Sequence, residues 1–94
     1  MNKYELMVII KADLAEEERK NLLNSINDVV TKNKGKVSQA SIWSEKRKLT
    51  VPIKKHQEGV YYLVNFESDP LAIKDMIRAY KLNENVLRFL FSRL

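Results

Sequence analysis

The chain has 94 residues, a length that suits a single domain, so we predict one domain over residues 1–94. It contains no cysteine, which excludes disulfides and thiol chemistry, and one histidine, which leaves no credible zinc site. Seventeen lysines and arginines against twelve acidic residues give a net charge of +5, a balance that favours a polyanionic partner without requiring one.

The N-terminal segment predicts a first strand over Lys3–Ile10. Both alternating sets of its side chains are mostly apolar, which is typical of a strand that is covered on both faces. This apolar run follows Glu5 and is too short for a signal peptide or a membrane span. We therefore expect a cytoplasmic protein that does not bind a membrane.

A first helix is predicted next, with Asp13 as its N-cap and Glu16 completing a pair that resembles a capping box. The acidic run Glu16–Glu18 lies in the first turn, where the helix dipole favours negative charge, and this explains the run better than a metal site does. Gly35 is predicted to end the helix in the left-handed conformation. The buried stripe consists of apolar residues at helical spacing, namely Leu22, Leu23, Ile26, Val29 and Val30.

Two further strands are predicted, a long one over Lys36–Ile53 with a bend or bulge near Trp43–Glu45, and another over Val60–Glu67. The polar, basic residues Lys54–Glu58 form the turn between them, so the two strands make a hairpin. Pro52 lacks an N–H, which places this part of the second strand at a sheet edge or near the end of the strand.

A second helix and a last strand, Val86–Arg93, complete the chain. Asp69 at the N-cap and Pro70 at the first helical position open the helix. Its apolar stripe is Ile73, Met76, Ile77 and Tyr80. The resulting order, βαββαβ, is the split βαβ or ferredoxin-like pattern of an α+β fold. Right-handed crossovers then place both helices on one face of a four-stranded antiparallel sheet.

The other face of this sheet should be open, although several strands are apolar on both sides. The pairs of apolar residues that show this are Leu6 with Met7, Tyr61 with Tyr62, Leu87 with Leu90, and Phe89 with Val86. An open apolar face usually marks a partner site, which could take another protein, a second copy of the chain, or nucleobases. The alternative is the apolar surface that any soluble protein exposes.

The segment Lys46–His56 is the most informative in the chain, because two basic clusters flank a short, apolar, β-branched run. Strand alternation predicts that Arg47, Leu49, Val51 and Ile53 share one face and that Lys48, Thr50, Pro52 and Lys54 share the other. Such a strand can pack one face into a core and hold positive charge toward a polyanion. The competing interpretation is an edge strand that lysines protect against aggregation.

Other functions of the same fold fit the chain less well. Glu58–Tyr62 begins with an acid where an RNA-recognition motif has a basic residue. Its aromatic residues are also not at the positions where that motif has the aromatic residues that stack on bases. The turn Lys11–Leu14 has no glycine and carries an acid where a phosphate-handling enzyme would bind its anion. His56 lies in the polar turn and no nucleophile–base pair is visible. We predict that the chain is not an enzyme and has no cofactor, metal or small-molecule substrate.

Four segments in the same order and spacing resemble the protein six family of the bacterial small ribosomal subunit. They are Lys3–Ile10, Lys46–Ile53, Glu58–Tyr62 and Asn85–Phe89, and the resemblance spans the whole chain. The chain departs from the family pattern at Thr50-Val51, where the family usually has Ala-Tyr. The resemblance implies a ferredoxin-like, cytoplasmic, ribosome-associated protein with a structural role.

The resemblance also implies partners. Such a protein binds the central domain of small-subunit ribosomal RNA as a heterodimer with a small basic neighbour, small-subunit ribosomal protein eighteen. The basic loop would then meet phosphates, and the open sheet face or a strand edge would meet the protein partner. The residues expected at the RNA are Lys3, Tyr4, Lys46, Arg47, Lys48, Lys54, Lys55, Arg88 and Arg93. The alternative, from the fold alone, is a regulatory or dimerisation domain that self-associates through its open face.

Overall fold

The structure is a computed structural model. It describes the backbone of residues 1–53 and 56–94 and the side chains of residues 1–44 and 58–94. The elements are β1 (Asn2–Lys11), α1 (Glu16–Lys32), β2 (Lys36–Ile53), β3 (His56–Ser68), α2 (Ile73–Lys81) and β4 (Val86–Arg93). A 3-10 turn, Pro70–Ala72, precedes α2. In the described part of the chain, no helix combines the length and the apolar character that a bilayer span needs.

The strands form one antiparallel sheet in the order β2-β3-β1-β4. β1 is central and pairs with β3 along one side and with β4 along the other, whereas β2 lies at an edge. The edge position that Pro52 predicted for β2 is therefore confirmed. With its βαββαβ order, the chain has the predicted α+β, ferredoxin-like fold.

One face of the sheet is buried beneath the two helices. The buried strand residues on this side are Tyr4, Leu6, Val8, Ile10, Val60, Tyr62, Val64, Phe66 and Val86. α1 adds Leu22, Ile26 and Val30, and α2 adds Met76 and Tyr80, as their apolar stripes predicted. The two helices are also joined by a buried hydrogen bond, in which the Tyr80 hydroxyl donates to the Ile26 carbonyl oxygen at 2.7 Å.

The start of α1 differs from the prediction. The N-cap is Ala15, which has no side-chain capping bond, so the assignment of Asp13 as the cap is wrong. The Ala15 carbonyl accepts the first helical hydrogen bond from the Arg19 N–H at 2.9 Å, which places the helix start two residues beyond Asp13. The acidic run Glu16–Glu18 does occupy the first turn, as predicted, where its charge complements the helix dipole.

The end of α1 also differs. Lys34, with a φ of 64°, has the left-handed conformation, and Gly35 does not have a positive φ, so the predicted role of Gly35 is wrong. Gly35 instead allows a close approach. A Cβ at this position would lie 2.6 Å from Val30 Cγ1 and 2.8 Å from the Val30 carbonyl oxygen. The Gly35 N–H donates to that oxygen at 2.8 Å and holds the turn against α1.

The connections before and after β3 refine two further predictions. Asp69 caps the following helical segment as predicted, since its Oδ1 accepts from the Leu71 N–H at 2.9 Å, but the first turn is 3-10 in form. β3 already begins at His56, which pairs with Ile53, so the predicted turn over residues 54–58 is too long. Lys54 and Lys55 lie outside the described residues.

Candidate protein and nucleic-acid interfaces

The open face of the sheet is organised in rows, because residues directly opposite each other on neighbouring strands point to the same side. One row is polar: Glu5 on β1 lies between Asn65 on β3 and Ser92 on β4, and Asn65 pairs in turn with Gln39 on β2. This row was not predicted from the sequence as a functional feature. The strand alternation that puts Glu5 on the same side as Met7 was the signal that could have found it.

The next two rows of the open face are apolar. Met7 lies between Leu63 and Leu90 in the first, and Ile9 lies against Tyr61 and Leu87 in the second. Trp43, from β2, extends this surface and meets the Tyr61 ring edge-on, with centroids 5.6 Å apart. Trp43 and Leu90 are 54% and 55% exposed. The open sheet face is therefore apolar at its centre, as the sequence predicted.

A shallow cavity lies where the polar row meets the apolar rows. Its volume is about 270 Å³, and Met7, Leu63 and Trp43 line it together with Glu5. Three of its walls are therefore apolar or aromatic, and one carries a carboxylate. A site of this kind suits a side chain with an apolar stem and a cationic end.

Asn65, the residue directly opposite Glu5 on β3, carries an unsatisfied acceptor. Its Oδ1 is buried and has no hydrogen-bond partner among the residues that the structure describes. The Asn65 backbone carbonyl, by contrast, accepts from the Ser38 hydroxyl at 3.0 Å. Asn65 lines a second cavity, of about 210 Å³, together with Lys3, Ser38 and Glu67. A buried acceptor without a donor costs free energy, so this atom marks a place where a ligand could donate.

The basic segment of the chain lies at one end of the sheet. Lys11, the last residue of β1, and Arg47 both pair with Gly59. Beyond this point β2 and β3 still pair, through Lys48 with Glu58 and Ile53 with His56. The β2–β3 hairpin therefore projects past the end of β1. The predicted division of residues 47–54 between two faces concerns side chains outside the described residues.

The remaining candidate RNA residues lie elsewhere on the sheet. Lys3 and Arg93 are exposed at the opposite end, where Lys3 pairs with Glu67 and Arg93 with Tyr4. Tyr4 is only 8% exposed, and its ring stacks on Phe66 at 5.5 Å within the core. The eight residue steps of β1 between Lys3 and Lys11 span about 26 Å at the usual rise of a strand. Lys3, Tyr4 and Arg93 thus lie at the end of the sheet opposite Arg47 and Lys48.

Two register shifts between paired strands change which side of the sheet nearby side chains face, compared with simple alternation. The register shift between Ile9 and Ile10 on β1 brings Leu87 to the Ile9 side of the sheet, although Arg88 is the residue paired with Ile9. Arg88 is exposed in that apolar row, beside the open face. A second shift between Ile42 and Ser44 confirms the bulge that was predicted near Trp43.

The chain is similar to ribosomal proteins over almost its whole length. The family model described as Ribosomal protein S6 matches residues 3–93. A Small ribosomal subunit protein bS6 from Thermoanaerobacter pseudethanolicus is 41% identical over 93 residues, which cover 99% of this chain and 97% of the relative. The protein of the same name from Caldanaerobacter subterraneus is 39% identical with the same coverage of both chains.

A solved structure agrees with these sequence comparisons. The 30S ribosomal protein S6 from Thermotoga maritima superposes with a TM-score of 0.90 at 28% identity, covering 99% of this chain and 87% of that one. These relatives are named as ribosomal proteins and not as enzymes, which agrees with the non-enzymatic role predicted above. The chain therefore belongs to the ribosomal protein S6 family and is a structural, ribosome-associated component of the small subunit.

Proposed function

We propose that this chain binds the central domain of small-subunit ribosomal RNA through its basic β2–β3 hairpin, jointly with small-subunit ribosomal protein eighteen. The observation that carries the proposal is the projection of the hairpin past β1, where Arg47 pairs with Gly59 and Lys48 with Glu58. This part of the chain contains the run Lys46–Lys48. A projecting, cation-rich hairpin can approach phosphates that the body of the domain cannot reach.

The binding we propose is mainly to phosphates. Each Lys or Arg that neutralises a phosphate releases counterions, so the affinity falls as the salt concentration rises. The burial of the Tyr4 ring against Phe66 supports this mode, because it removes an aromatic surface on which a base could stack. In this proposal Tyr4 contributes at most its hydroxyl, whereas Lys3 and Arg93 supply charge at the far end of the sheet.

In this proposal the two groups of basic residues contribute differently to the RNA affinity. The hairpin group contains Lys46, Arg47, Lys48, Lys54 and Lys55, and carries most of the RNA affinity. Lys3 and Arg93 are about 26 Å away, at the usual rise of a strand, and would contact a separate stretch of RNA. Arg88 lies beside the apolar rows, which makes a contact with the protein partner as reasonable for it as one with RNA.

The test is RNA binding across a salt series, with and without protein eighteen. We expect tight binding of a central-domain RNA fragment in the presence of the partner. Changing Lys46, Arg47 and Lys48 to alanine should reduce the slope of log affinity against log salt by about two to three, because each phosphate that a side chain neutralises adds roughly one to that slope. Circular dichroism of the variant checks that the fold is kept.

The matched control changes the same number of charges on the helices. Lys20, Lys32 and Lys74 are exposed on α1 and α2, and their replacement by alanine should leave the salt slope nearly unchanged. Equal slopes for the wild type and the hairpin variant would show that the hairpin does not carry the binding. A concentration-dependent homodimer that binds no RNA would instead support the alternative of self-association through the open face.

A further inference from the structure

We infer that the turn between α1 and β2 forms, together with Lys3 on β1, a second phosphate-binding surface, in which Lys34 and Lys36 of the turn bind the backbone of RNA. Lys3, Lys34 and Lys36 are called the turn surface below. Neither Lys34 nor Lys36 was among the residues that the sequence predicted at the RNA. That the anion is RNA rests on the proposed function, whereas the two turn lysines lie outside the site described there.

Strand pairing brings these lysines together from distant parts of the sequence. Glu67 on β3 pairs with Lys3 on β1 and with Lys36 on β2, so the two lysines flank it on the same side of the sheet. Neighbouring strands lie about 4.8 Å apart, which separates the backbones of Lys3 and Lys36 by about 10 Å. Lys34 precedes Lys36 by two residues, and all three lysines are exposed. Three cations therefore lie around one carboxylate at this end of the sheet.

The acidic residues nearby leave this end of the sheet positive. Glu67 offsets one of the three lysines, which gives the turn surface and Glu67 a net charge of +2 (3 − 1). Asp69 follows β3, but its carboxylate caps the next helical segment by accepting from the Leu71 N–H at 2.9 Å. Lys32 is left out of the turn surface, because Asp28 lies one turn earlier on α1, at the spacing where opposite charges attract.

The turn is held in one shape by its own hydrogen bonds. The Asn33 backbone N–H and the Asn33 side-chain amide both donate to the Val29 carbonyl oxygen, at 3.3 and 2.7 Å. The Lys34 N–H donates to the Thr31 carbonyl oxygen at 3.1 Å, and the Gly35 N–H holds the turn against α1 as described above. A turn that is fixed before binding loses less conformational freedom when a ligand binds, which favours binding.

The backbone conformation of Lys34 is unusual for a lysine. Its φ of 64° is in the left-handed region, where glycine and asparagine are the common residues. Asn33 and Gly35 stand on either side of it, yet the lysine occupies the left-handed position. Residues held in such sparsely populated conformations are concentrated at functional sites. A role of the Lys34 charge in binding gives a reason for this residue at this position.

The composition of the turn favours RNA over an acidic protein. Residues 31–36 include no apolar side chain, and every second one of them is a lysine. Lysine is depleted in protein–protein interfaces, whose centres are apolar. Phosphates, by contrast, are bound by lysines together with asparagine and serine side chains, and the exposed Ser38 follows Lys36 by two residues. The turn surface therefore suits contact with an RNA backbone without base reading.

An NMR titration with hexauridylate at low salt tests the turn surface without any ribosomal partner. We expect shifts of the amide signals of Asn33, Gly35 and Glu67, which lie beside the three lysines. In the double variant Lys34→Gly with Lys36→Gln these shifts should disappear, because the charges are removed while glycine keeps the left-handed conformation. The variant Lys34→Arg with Lys36→Arg keeps the charges and should retain the shifts.

A salt series with the central-domain RNA fragment and protein eighteen connects the turn surface to the proposed function. Lys34→Gly with Lys36→Gln should reduce the slope of log affinity against log salt by about 1.5–2, because each neutralised phosphate contributes roughly 0.7–0.9. The matched control, Lys20→Gln with Lys74→Gln on the helices, should keep the wild-type slope. The reductions from the turn and hairpin variants should add, since the two sites lie at opposite ends of the sheet.

The outcomes separate the two sites. If the turn variant keeps the wild-type slope while the hairpin variant loses its share, the turn surface does not bind this RNA and the proposed function stands. If the turn variant alone reduces the slope, the turn surface is supported and the hairpin is not the RNA site. If the wild type does not bind the fragment with protein eighteen, the proposed function is wrong, and the hexauridylate titration decides by itself. Shifts confined to other residues, or none at all, would then overturn the turn surface.

Discussion

The same strands contribute side chains to both faces of the sheet, but the two faces differ in burial and in polarity. On β1, Leu6 and Val8 point toward the helices and have no exposed surface, while Glu5 and Met7 point the other way and stay partly accessible. The helix-covered face is buried and apolar, and the open face combines apolar rows with a polar one. The difference shows that the burial that stabilises this domain is concentrated on one face, which leaves the side chains of the other free for recognition.

The largest expected effect comes from matched leucine substitutions on the two faces. Leu6→Ala opens a cavity in the core and should lower the free energy of unfolding by about 2–5 kcal/mol. Leu90 is 55% exposed on the open face, and Leu90→Ala should change the same quantity by less than about 1 kcal/mol. Urea denaturation of both variants measures the difference. Similar losses would mean that the open face contributes to stability as much as the core does.

A smaller effect on stability is expected at Gly35, in the turn between α1 and β2. Gly35→Ala would place a Cβ 2.6 Å from Val30 Cγ1 and 2.8 Å from a carbonyl oxygen, so the backbone must shift. We expect a loss of about 1–3 kcal/mol in the free energy of unfolding, as for other overpacked sites. The control is Lys34→Gly, which should not destabilise the protein because Lys34 has a φ of 64°. If Gly35→Ala leaves the free energy of unfolding unchanged in thermal or urea denaturation, the close approach of Gly35 to Val30 is refuted.

The smallest expected effect concerns the hydrogen bond between the helices. Tyr80→Phe removes the donor to the Ile26 carbonyl and should cost about 1 kcal/mol at neutral pH. Burial, followed by the nearby Tyr62, raises the pKa of the Tyr80 hydroxyl well above its ordinary value. The unfolded chain therefore loses this proton first, near pH 10, and the stabilisation from the neutral hydroxyl decreases as the pH rises above that value.

The measurement for Tyr80 is urea unfolding at neutral pH and at successive values above pH 10. The wild type should lose stability more steeply than Tyr80→Phe over the alkaline range, because the variant has no hydroxyl to titrate at this position. Tyr62→Phe is the control, since the Tyr62 hydroxyl donates to Asn27 Oδ1 at 3.2 Å in a less buried setting. Parallel pH profiles for the wild type and Tyr80→Phe would contradict the role of burial.

Much of the fold could be predicted from periodicity. The spacing of Ile26 and Val30 in α1, and of Met76 and Tyr80 in α2, identified the faces that lie in the core. Caps were less reliable. Asp69 caps as predicted, but Asp13 does not, because an acidic residue ahead of a helix can also belong to the preceding turn. At the end of α1, Lys34 rather than Gly35 has the left-handed conformation, which sequence preference alone ranks the other way.

The candidate site was harder to predict than the fold. The basic run Lys46–Lys48 is visible in the sequence because its charges are contiguous. The pair of Glu5 and Asn65 is not, since the two residues are 60 positions apart (65 − 5) and meet only through the register of β1 and β3. The bulge that brings Leu87 to the Ile9 side likewise depends on pairing with β1. A site formed by cross-strand neighbours can be predicted only when the register of the paired strands is known, and a single sequence does not determine that register.

The central position of β1 has a consequence for how the protein is made. β1 is translated before β2, β3 and both helices, yet one of its two pairing partners is β4, which follows all of them in the chain. Until residues 86–93 emerge, one side of β1 has no hydrogen-bond partners, and Phe89 and Phe91 are missing from their contacts with Tyr80. We therefore expect the core of this domain to be completed only after residues 86–93 have emerged, so that its binding surfaces become available in a single late step.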